Sequence, residues 1–364
     1  KKDYNFTFVK NVVFDFNAIN KLNNILKLIS NKKNKKIVIL FINSFFKKNK
    51  LKLKIDKSFT KKIIYIDTKK EPSNDLLDSL IDKYKSKFKS STFAIAGIGG
   101  GSTLDVAKGF SILLNNFKKT QKYQGWNLVT NEGVIKIGIP TISGTGSETS
   151  RTCVFIDKKR KIKLGMNSNY SVFDYLILDP NLSKTVPLDQ FFYTAMDTYI
   201  HCIESINGKF REPIADAYNQ ISLEICNDVF LSNNLKSKIN RKKLMNASYI
   251  GGMAIGNTYV GLIHPLSAAL STVYGIHHCV ANCIVMRSMR SYYYKEYSFF
   301  WKIVKKHNIY IPKLSEYTKG CDLNFKDLFS SFIIHEKPLI NALGNNAIKI
   351  LTQSKVEKLF RGML

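Results

Sequence analysis

The chain has 364 residues, 45% of them hydrophobic and 23% charged, with a formal net charge of +29. That length supports a large core and two domains, and the apolar content excludes a disordered chain. No apolar run reaches the ~18 residues needed to cross a bilayer, residues 1–10 lack the apolar segment of a signal peptide, and six scattered cysteines without a C-x-x-C pair read as reduced thiols, so a cytoplasmic protein without a membrane partner is expected.

The charge raises the question of nucleic acid. Its lysines lie in short, spread runs (Lys32-Lys33, Lys47-Lys48, Lys61-Lys62, Lys158-Lys159, Lys305-Lys306) with no dominant block and no nucleic-acid module. They read as solvated surface, with no specific nucleic-acid partner, and as a field that steers anionic small molecules inward.

In chain order, residues 17–28 have helical spacing, and residues 37–42 (IVILFI) form a buried-strand run ending at Asn43-Ser44. Residues 63–66 make another short strand. Residues 91–98 (STFAIAGI) lead into Gly99-Gly100-Gly101-Ser102-Thr103-Leu104-Asp105-Val106-Ala107-Lys108, where apolar residues continue at helical spacing. Strand, glycine turn and helix start together bind phosphate, because glycines admit the anion and first-turn N–H groups point at it. Neither G-x-G-x-x-G nor the P-loop pattern fits. Residues 134–140 (VIKIGIP) complete the strands and precede a Gly/Ser/Thr loop. Strands alternating with helices indicate a largely parallel sheet.

Beyond about residue 182 long amphipathic segments dominate, including residues 216–231 and 244–255. In residues 191–205 (FFYTAMDTYIHCIES), Asp197 and His201 sit four apart, which stacks carboxylate and imidazole on one helical face. His264 lies in residues 261–271 (GLIHPLSAALS), and His278 follows fourteen residues later, past the turn signal Tyr274-Gly275. One carboxylate and three imidazoles suit Fe(II) or Zn(II), and an open position would make the site catalytic. Cys279 and Cys283 lie close by as soft donors, but core packing is the expectation for them. The predicted organisation is residues 1–181 as an α/β dinucleotide-binding domain and 182–364 as an α-helical metal-binding domain.

The motif Gly-Gly-Gly-Ser-x-x-Asp-x-x-Lys, then Pro140-Thr141-Ile142-Ser143-Gly144-Thr145-Gly146-Ser147-Glu148, Leu178-Asp179-Pro180, Thr185-Val186-Pro187, Met196-Asp197-x-x-x-His201 and Gly261-x-x-His264 resembles the iron-containing (group III) alcohol dehydrogenases over residues 97–282. Residues 123–128 (YQGWNL), 143–151 (SGTGSETSR), 192–205 and 335–344 (HEKPLINALG) are similar to the 3-deoxy-manno-octulosonate (Kdo) 8-oxidase subgroup. The resemblance implies a dehydroquinate synthase-like fold, with metal and NAD or NADP in the cleft between the two domains. It implies Asp197, His201, His264 and His278 as metal ligands. Gly99, Gly100, Gly101, Ser102 and Asp105 would hold the pyrophosphate side, with Thr141, Thr145 and Lys163 lining the rest of the dinucleotide.

The implied reaction oxidises the C8 primary alcohol of Kdo to an aldehyde that an aminotransferase converts to an amino sugar for lipopolysaccharide. Arg151 is the candidate grip on the substrate carboxylate, since Arg can hold a carboxylate through two parallel hydrogen bonds. A homodimer is an open expectation for the assembly. The rival readings are a polyol or short-chain alcohol dehydrogenase of the same family, a dehydroquinate synthase-like lyase, and a basic nucleic-acid-binding protein.

Three departures from the family pattern stand out. Ala268 occupies a position where many relatives carry a second His. The final ligand lies in Ile276-His277-His278-Cys279; the count from His264 selects His278 and leaves His277 as a proton-handling candidate. Asn43 stands where NAD-preferring relatives often place the ribose-binding Asp, which leaves NADP open.

Overall fold

The computed structural model describes residues 6–30 and 37–364. The Lys32-Lys33 run and the first half of the leader reading over residues 1–10 lie outside the described residues. The chain divides into two compact units: one of Lys1–Asp157 with Leu164–Thr185, the other of Lys158–Lys163 with Val186–Leu364.

The first unit is built on strands β1 (Asn11–Phe14), β2 (Ile37–Asn43), β3 (Thr60–Ile66), β4 (Thr92–Gly99), β5 (Gly125–Trp126), β6 (Ile135–Pro140), β7 (Thr152–Asp157), β8 (Ile162–Asn167) and β9 (Tyr175–Leu178). Six of them form one sheet in the order β1-β9-β6-β4-β2-β3, with every pair parallel. Along β2 the side chains alternate between two cores. Val38, Leu40 and Ile42 pack with Leu22, Ile25 and Leu26 of the Leu22–Ser30 helix. Ile39 and Phe41 pack with Val106, Ala107 and Phe110 of the Gly101–Asn115 helix. A strand buried on both faces reads as an unbroken apolar run, which is why β2 and β4 were legible without a period-two signal. A second sheet, β5-β8-β7, was not anticipated. Its strand β7 alternates partly exposed and buried residues, and β8 is half-exposed and carries Lys163, so no apolar run announced them.

The second unit is helical. Its core is made by Leu188–Ile206, Pro213–Leu231, Lys238–Gly256, Ile263–Tyr274, His278–Val285, Tyr294–Lys306 and shorter C-terminal helices. Pro213 opens its helix at a position that needs no N–H, and Glu212 caps the Ala215 N–H. Among the described residues no helix is long and apolar enough to cross a membrane.

Two domain details differ from the sequence reading. The expected break at 181/182 falls at 185/186, after the short helix at Pro180–Ser183, and residues 158–163 group with the helical unit. Lys163, expected within the dinucleotide-binding domain, therefore belongs to the second unit.

Candidate functional site

At the end of β4 the chain turns through Gly99 and Gly100 into the Gly101–Asn115 helix, with Gly100 as the N-cap. Thr103 and Leu104 both donate their N–H to Gly100 O, leaving the N–H groups of Gly101 and Ser102 ahead of the first intrahelical bond. No acidic residue stands in that first turn, which is the arrangement that favours an anion. Glycine is required here by close approach: a Cβ on Gly99 would meet Thr103 Oγ1 at 2.6 Å, and one on Gly100 would meet Ile142 Cγ2 at 3.0 Å. Thr141 N donates to Gly99 O over 3.0 Å, and the Thr145 side chain packs against Gly101. The structure thus brings Gly99, Gly100, Gly101, Ser102, Thr141 and Thr145 to one turn.

Asp105 does not join them. Its carboxylate is buried behind the turn, accepting from Ser147 Oγ at 2.6 Å and from Val154 N at 3.0 Å. One turn further along, Lys108 is fully buried and donates to Ser150 O (2.9 Å) and Thr152 O (3.0 Å). Burial pushes the Asp105 carboxyl up and the Lys108 ammonium down, and each group partly offsets the other's shift. Both residues tie the 147–154 segment to the helix.

Three other candidates also make contacts that a ligand role did not anticipate. Asn43 donates to Thr68 Oγ1 at 3.0 Å and accepts from Phe45 N at 2.9 Å, closing a local turn at the end of β2. The Arg151 guanidinium donates to Asn127 Oδ1 within the first unit. Lys163, buried in β8, contributes to holding His335 at a pKa of about 4, where burial is the larger cause.

In the second unit, Asp197 and His201 project from the Leu188–Ile206 helix, His264 from the first turn of Ile263–Tyr274, and His278 from the start of His278–Val285. Gly275, at φ +69°, ends the His264 helix in the left-handed conformation and lets the chain double back to His278. The Nε2 atoms of His201, His264 and His278 surround Asp197 Oδ1 at 3.8, 3.4 and 3.7 Å. The His201 and His264 rings stack at 4.5 Å, and the His278 ring lies 5.2 Å from His264. Donor atoms of Asp197, His201 and His264 all fall within 4.8 Å of one another. That spacing suits a cation with bonds of about 2.0–2.2 Å to each donor.

The residues fit a divalent metal by a further test: His264 Nε2 is buried and makes no hydrogen bond. An unsatisfied buried nitrogen costs about 1–3 kcal/mol, and a cation at the centre would relieve it. Burial opposes charge on Asp197, but the imidazoles, His201 and His278 foremost, hold its carboxyl well below the usual range. Burial pushes His201 down to about 4. Burial alone would also depress His264, yet Glu204 and Asp197 outweigh it and raise the ring to about 9. The same negative field attracts a cation.

Of the two adjacent histidines, His278 faces Asp197. His277 caps the helix, with a buried Nδ1 that makes no hydrogen bond. Ala268 is buried and leaves no polar group at its position. Cys279 and Cys283 pack in the core as expected, although Cys279 Sγ also lies 3.5 Å from Asp197 Oδ2. Two residues escaped the sequence reading. Asn282 donates to Asp197 Oδ1 at 2.7 Å, and Glu204, seven residues after Asp197, contacts His264 Nδ1. The helical stripe Asp197, His201, Glu204 was the signal that could have found the second.

A parallel-sheet unit with a phosphate-type turn and a helical unit with an Asp/His cluster define a class of two-unit folds suited to a nucleotide and a metal. Residues 10–180 match the family described as iron-containing alcohol dehydrogenase, and residues 191–311 match its C-terminal part. The chain belongs to the iron-containing alcohol dehydrogenase family. It is 36% identical over 220 residues to sulfoacetaldehyde reductase of Bilophila wadsworthia (strain 3_1_6), covering 60% of this chain and 56% of that protein. Against 1,3-propanediol dehydrogenase of Citrobacter freundii it is 30% identical over 203 residues, 54% of this chain and 52% of the relative. The matched stretch thus spans a little over half the length of these curated relatives.

Solved structures align end to end. A 1,3-propanediol oxidoreductase superposes with a TM-score of 0.82 at 18% identity, covering 100% of both chains. Sulfoacetaldehyde reductase from Bifidobacterium kashiwanohense, in complex with NAD+, gives 0.80 at 16% identity over 100% of this chain and 99% of the other. At such identities these likenesses establish the fold.

Proposed function

We propose that the chain is a metal-dependent, nicotinamide-linked oxidoreductase that interconverts a primary alcohol and its aldehyde. The observation that carries this reading is the ring of three imidazole Nε2 atoms around Asp197 Oδ1, one of them buried and unsatisfied. Asp197, His201, His264 and His278 would hold Fe(II) or Zn(II), which supplies Lewis acidity toward the substrate oxygen. Asp197, buried and kept ionised by its imidazole neighbours, would contribute negative charge to retain the ion. Asn282 fixes the Asp197 carboxylate in place. The turn at Gly99–Ser102, with Thr141 and Thr145, would hold the dinucleotide phosphates, while Asp105 and Lys108 keep that turn in shape. A bound nicotinamide would supply the hydride acceptor for the alcohol, with the proton passing to solvent. Ala268 supplies no proton carrier, so His277 is the titratable candidate on the helix start beside His278.

The substrate class follows the relatives' names, which pair an aldehyde bearing a sulfonate with small diols and alcohols. A primary alcohol or aldehyde of short chain is therefore the reading preferred here. The finer alternative, the C8 alcohol of Kdo with an aminotransferase consuming the aldehyde, rests on the four sequence segments that carry that resemblance. Its carboxylate partner, Arg151, is held by Asn127, and this weakens the case. With Asn43 engaged in a local turn and no carboxylate at that position, NADP is admitted beside NAD.

The test is a zinc- or iron-loaded preparation assayed with NADH and NADPH against sulfoacetaldehyde, 3-hydroxypropanal, butanal and the C8 aldehyde of Kdo. Turnover dependent on metal is expected with at least one short aldehyde. A fully metallated chain that reduces none of them would refute the reading, and preference for the Kdo aldehyde would restore the finer alternative.

A further inference from the structure

Glu204 is fully buried on the same face as Asp197 and His201, one turn beyond the latter. Its two carboxylate oxygens are separately engaged. Oε1 accepts the Ile263 N–H, and Oε2 meets His264 Nδ1. Ile263 opens the Ile263–Tyr274 helix, so the carboxylate caps a helix N-terminus, where negative charge is favoured. The chain wraps it closely: a Cβ on Gly261 would meet Tyr293 Oη at 2.6 Å and Glu204 Oε1 at 3.1 Å. The result is a buried, acceptor-only group gripped by the backbone on one side and by one imidazole on the other.

We infer that Glu204 is the positioning residue of the metal centre: it holds the His264 hydrogen on Nδ1, so that Nε2 is the nitrogen left to a cation beside Asp197. This inference rests on the metal-centre reading above. A carboxylate cannot donate, so the nitrogen it touches must carry the hydrogen, and the other nitrogen becomes the ligand. His264 Nε2, buried without a hydrogen bond, is that other nitrogen. The Ile263 contact prevents the carboxylate from rotating away, and it ties the orientation of the ring to the start of the helix that carries it. His201 has no carboxylate on its far nitrogen among the described contacts, and His278 Nδ1 lies 3.4 Å from the Ser267 hydroxyl, which can either donate or accept. Of the three rings, His264 is the one whose far nitrogen meets a carboxylate among the described contacts.

Glu204→Gln keeps the size and shape of the side chain but reverses the chemistry. With the amide oxygen on Ile263 N–H, the NH2 group faces His264 Nδ1 and forces the ring proton onto Nε2, where the cation should bind. The opposite orientation sets NH2 against the Ile263 N–H. Zinc affinity, read by competition with a chromophoric chelator, should fall about ten- to hundredfold, the range for losing an orienting partner of a ligand His. Loss of one negative charge near the ion would also weaken binding, so the same substitution is made in a His264→Ala background. There Glu204→Gln should change zinc affinity by no more than about twofold, the scatter of independent sites. Equal losses in both backgrounds would reduce Glu204 to a bystander charge, and no loss in the unmodified background would overturn the inference. Independently of any variant folding, the 15N spectrum of the zinc-loaded unmodified protein should show His264 protonated at Nδ1 and ligated through Nε2; ligation through Nδ1 refutes the assignment. If the unmodified chain fails to take up zinc, the metal-centre reading itself falls, and this inference with it.

Discussion

Replacing Asp105 by Asn separates a cofactor-binding role from a structural one. The carboxylate accepts from Ser147 Oγ at 2.6 Å and Val154 N at 3.0 Å, and it lies one helical turn from the fully buried Lys108. An Asn can keep its oxygen on Val154 N and offer NH2 to the Ser147 hydroxyl, which can turn round to accept. The number of bonds therefore survives and the charge does not. Each bond to a charged group is worth about 1 kcal/mol more than its neutral counterpart. Lys108 also loses the acidic residue that partly offsets its own burial, and leaving a buried charge uncompensated costs up to about 3–5 kcal/mol. A loss of about 2–5 kcal/mol is expected, which for a unit of this size lowers its transition by about 5–15 °C. Urea titration and differential scanning calorimetry, followed by the fluorescence of bound NADH below the transition, read the two effects separately. The structural account fails if Asp105→Asn leaves the transition within about 1 °C of the parent, well under the shift that 1 kcal/mol produces, while NADH affinity collapses. That result would return Asp105 to the pyrophosphate.

His278→Ala should lower zinc affinity by more than the about ten- to hundredfold typical of losing an outer partner, whereas His277→Ala should leave it unchanged; the reverse pattern, read by chelator competition, would shift the ligand by one residue. Gly100→Val places branched carbons against Ile142, 3.0 Å from the first of them, and closes the approach to the turn, so NADH binding should vanish by calorimetry while zinc stoichiometry holds. Retained NADH affinity in the folded variant would remove that turn from the cofactor site. The metal-free protein should lose stability on acidification through His335. Burial, then Lys163 and His264, hold this ring at about 4 against 6.5 unfolded, so the unfolded chain binds the extra proton in between. Its contribution is complete above pH 6.5 and is lost as pH falls toward 4, by about 2 kcal/mol between pH 7 and 5 for one such group. His335→Asn should flatten that limb of the urea-midpoint profile, and an unaltered limb would mean the ring is already charged in the fold.

The sequence by itself determined the elements whose signals are local. The β2 and β4 runs were legible because strands covered on both faces are apolar at every position. The glycine turn was legible because neighbouring side chains leave a Cβ no room at Gly99 and little at Gly100. Asp197 and His201 declared themselves by helical spacing, and the count to His278 was readable along the chain. Tertiary structure decided whatever depends on atoms distant in sequence. Asp105 and Lys108 share a motif with the phosphate turn, yet their partners lie more than forty residues away in the 147–154 segment, and only packing shows that both side chains turn inward. Residues 158–163 join β7 to β8 and include the first two residues of β8, yet they group with the helical unit. Glu204 looked like one more polar residue on an amphipathic helix until folding brought Ile263 and His264 across sixty residues to its two oxygens. A carboxylate's role is set by which donors reach it, and those donors came from a helix that no spacing in the sequence had joined to it.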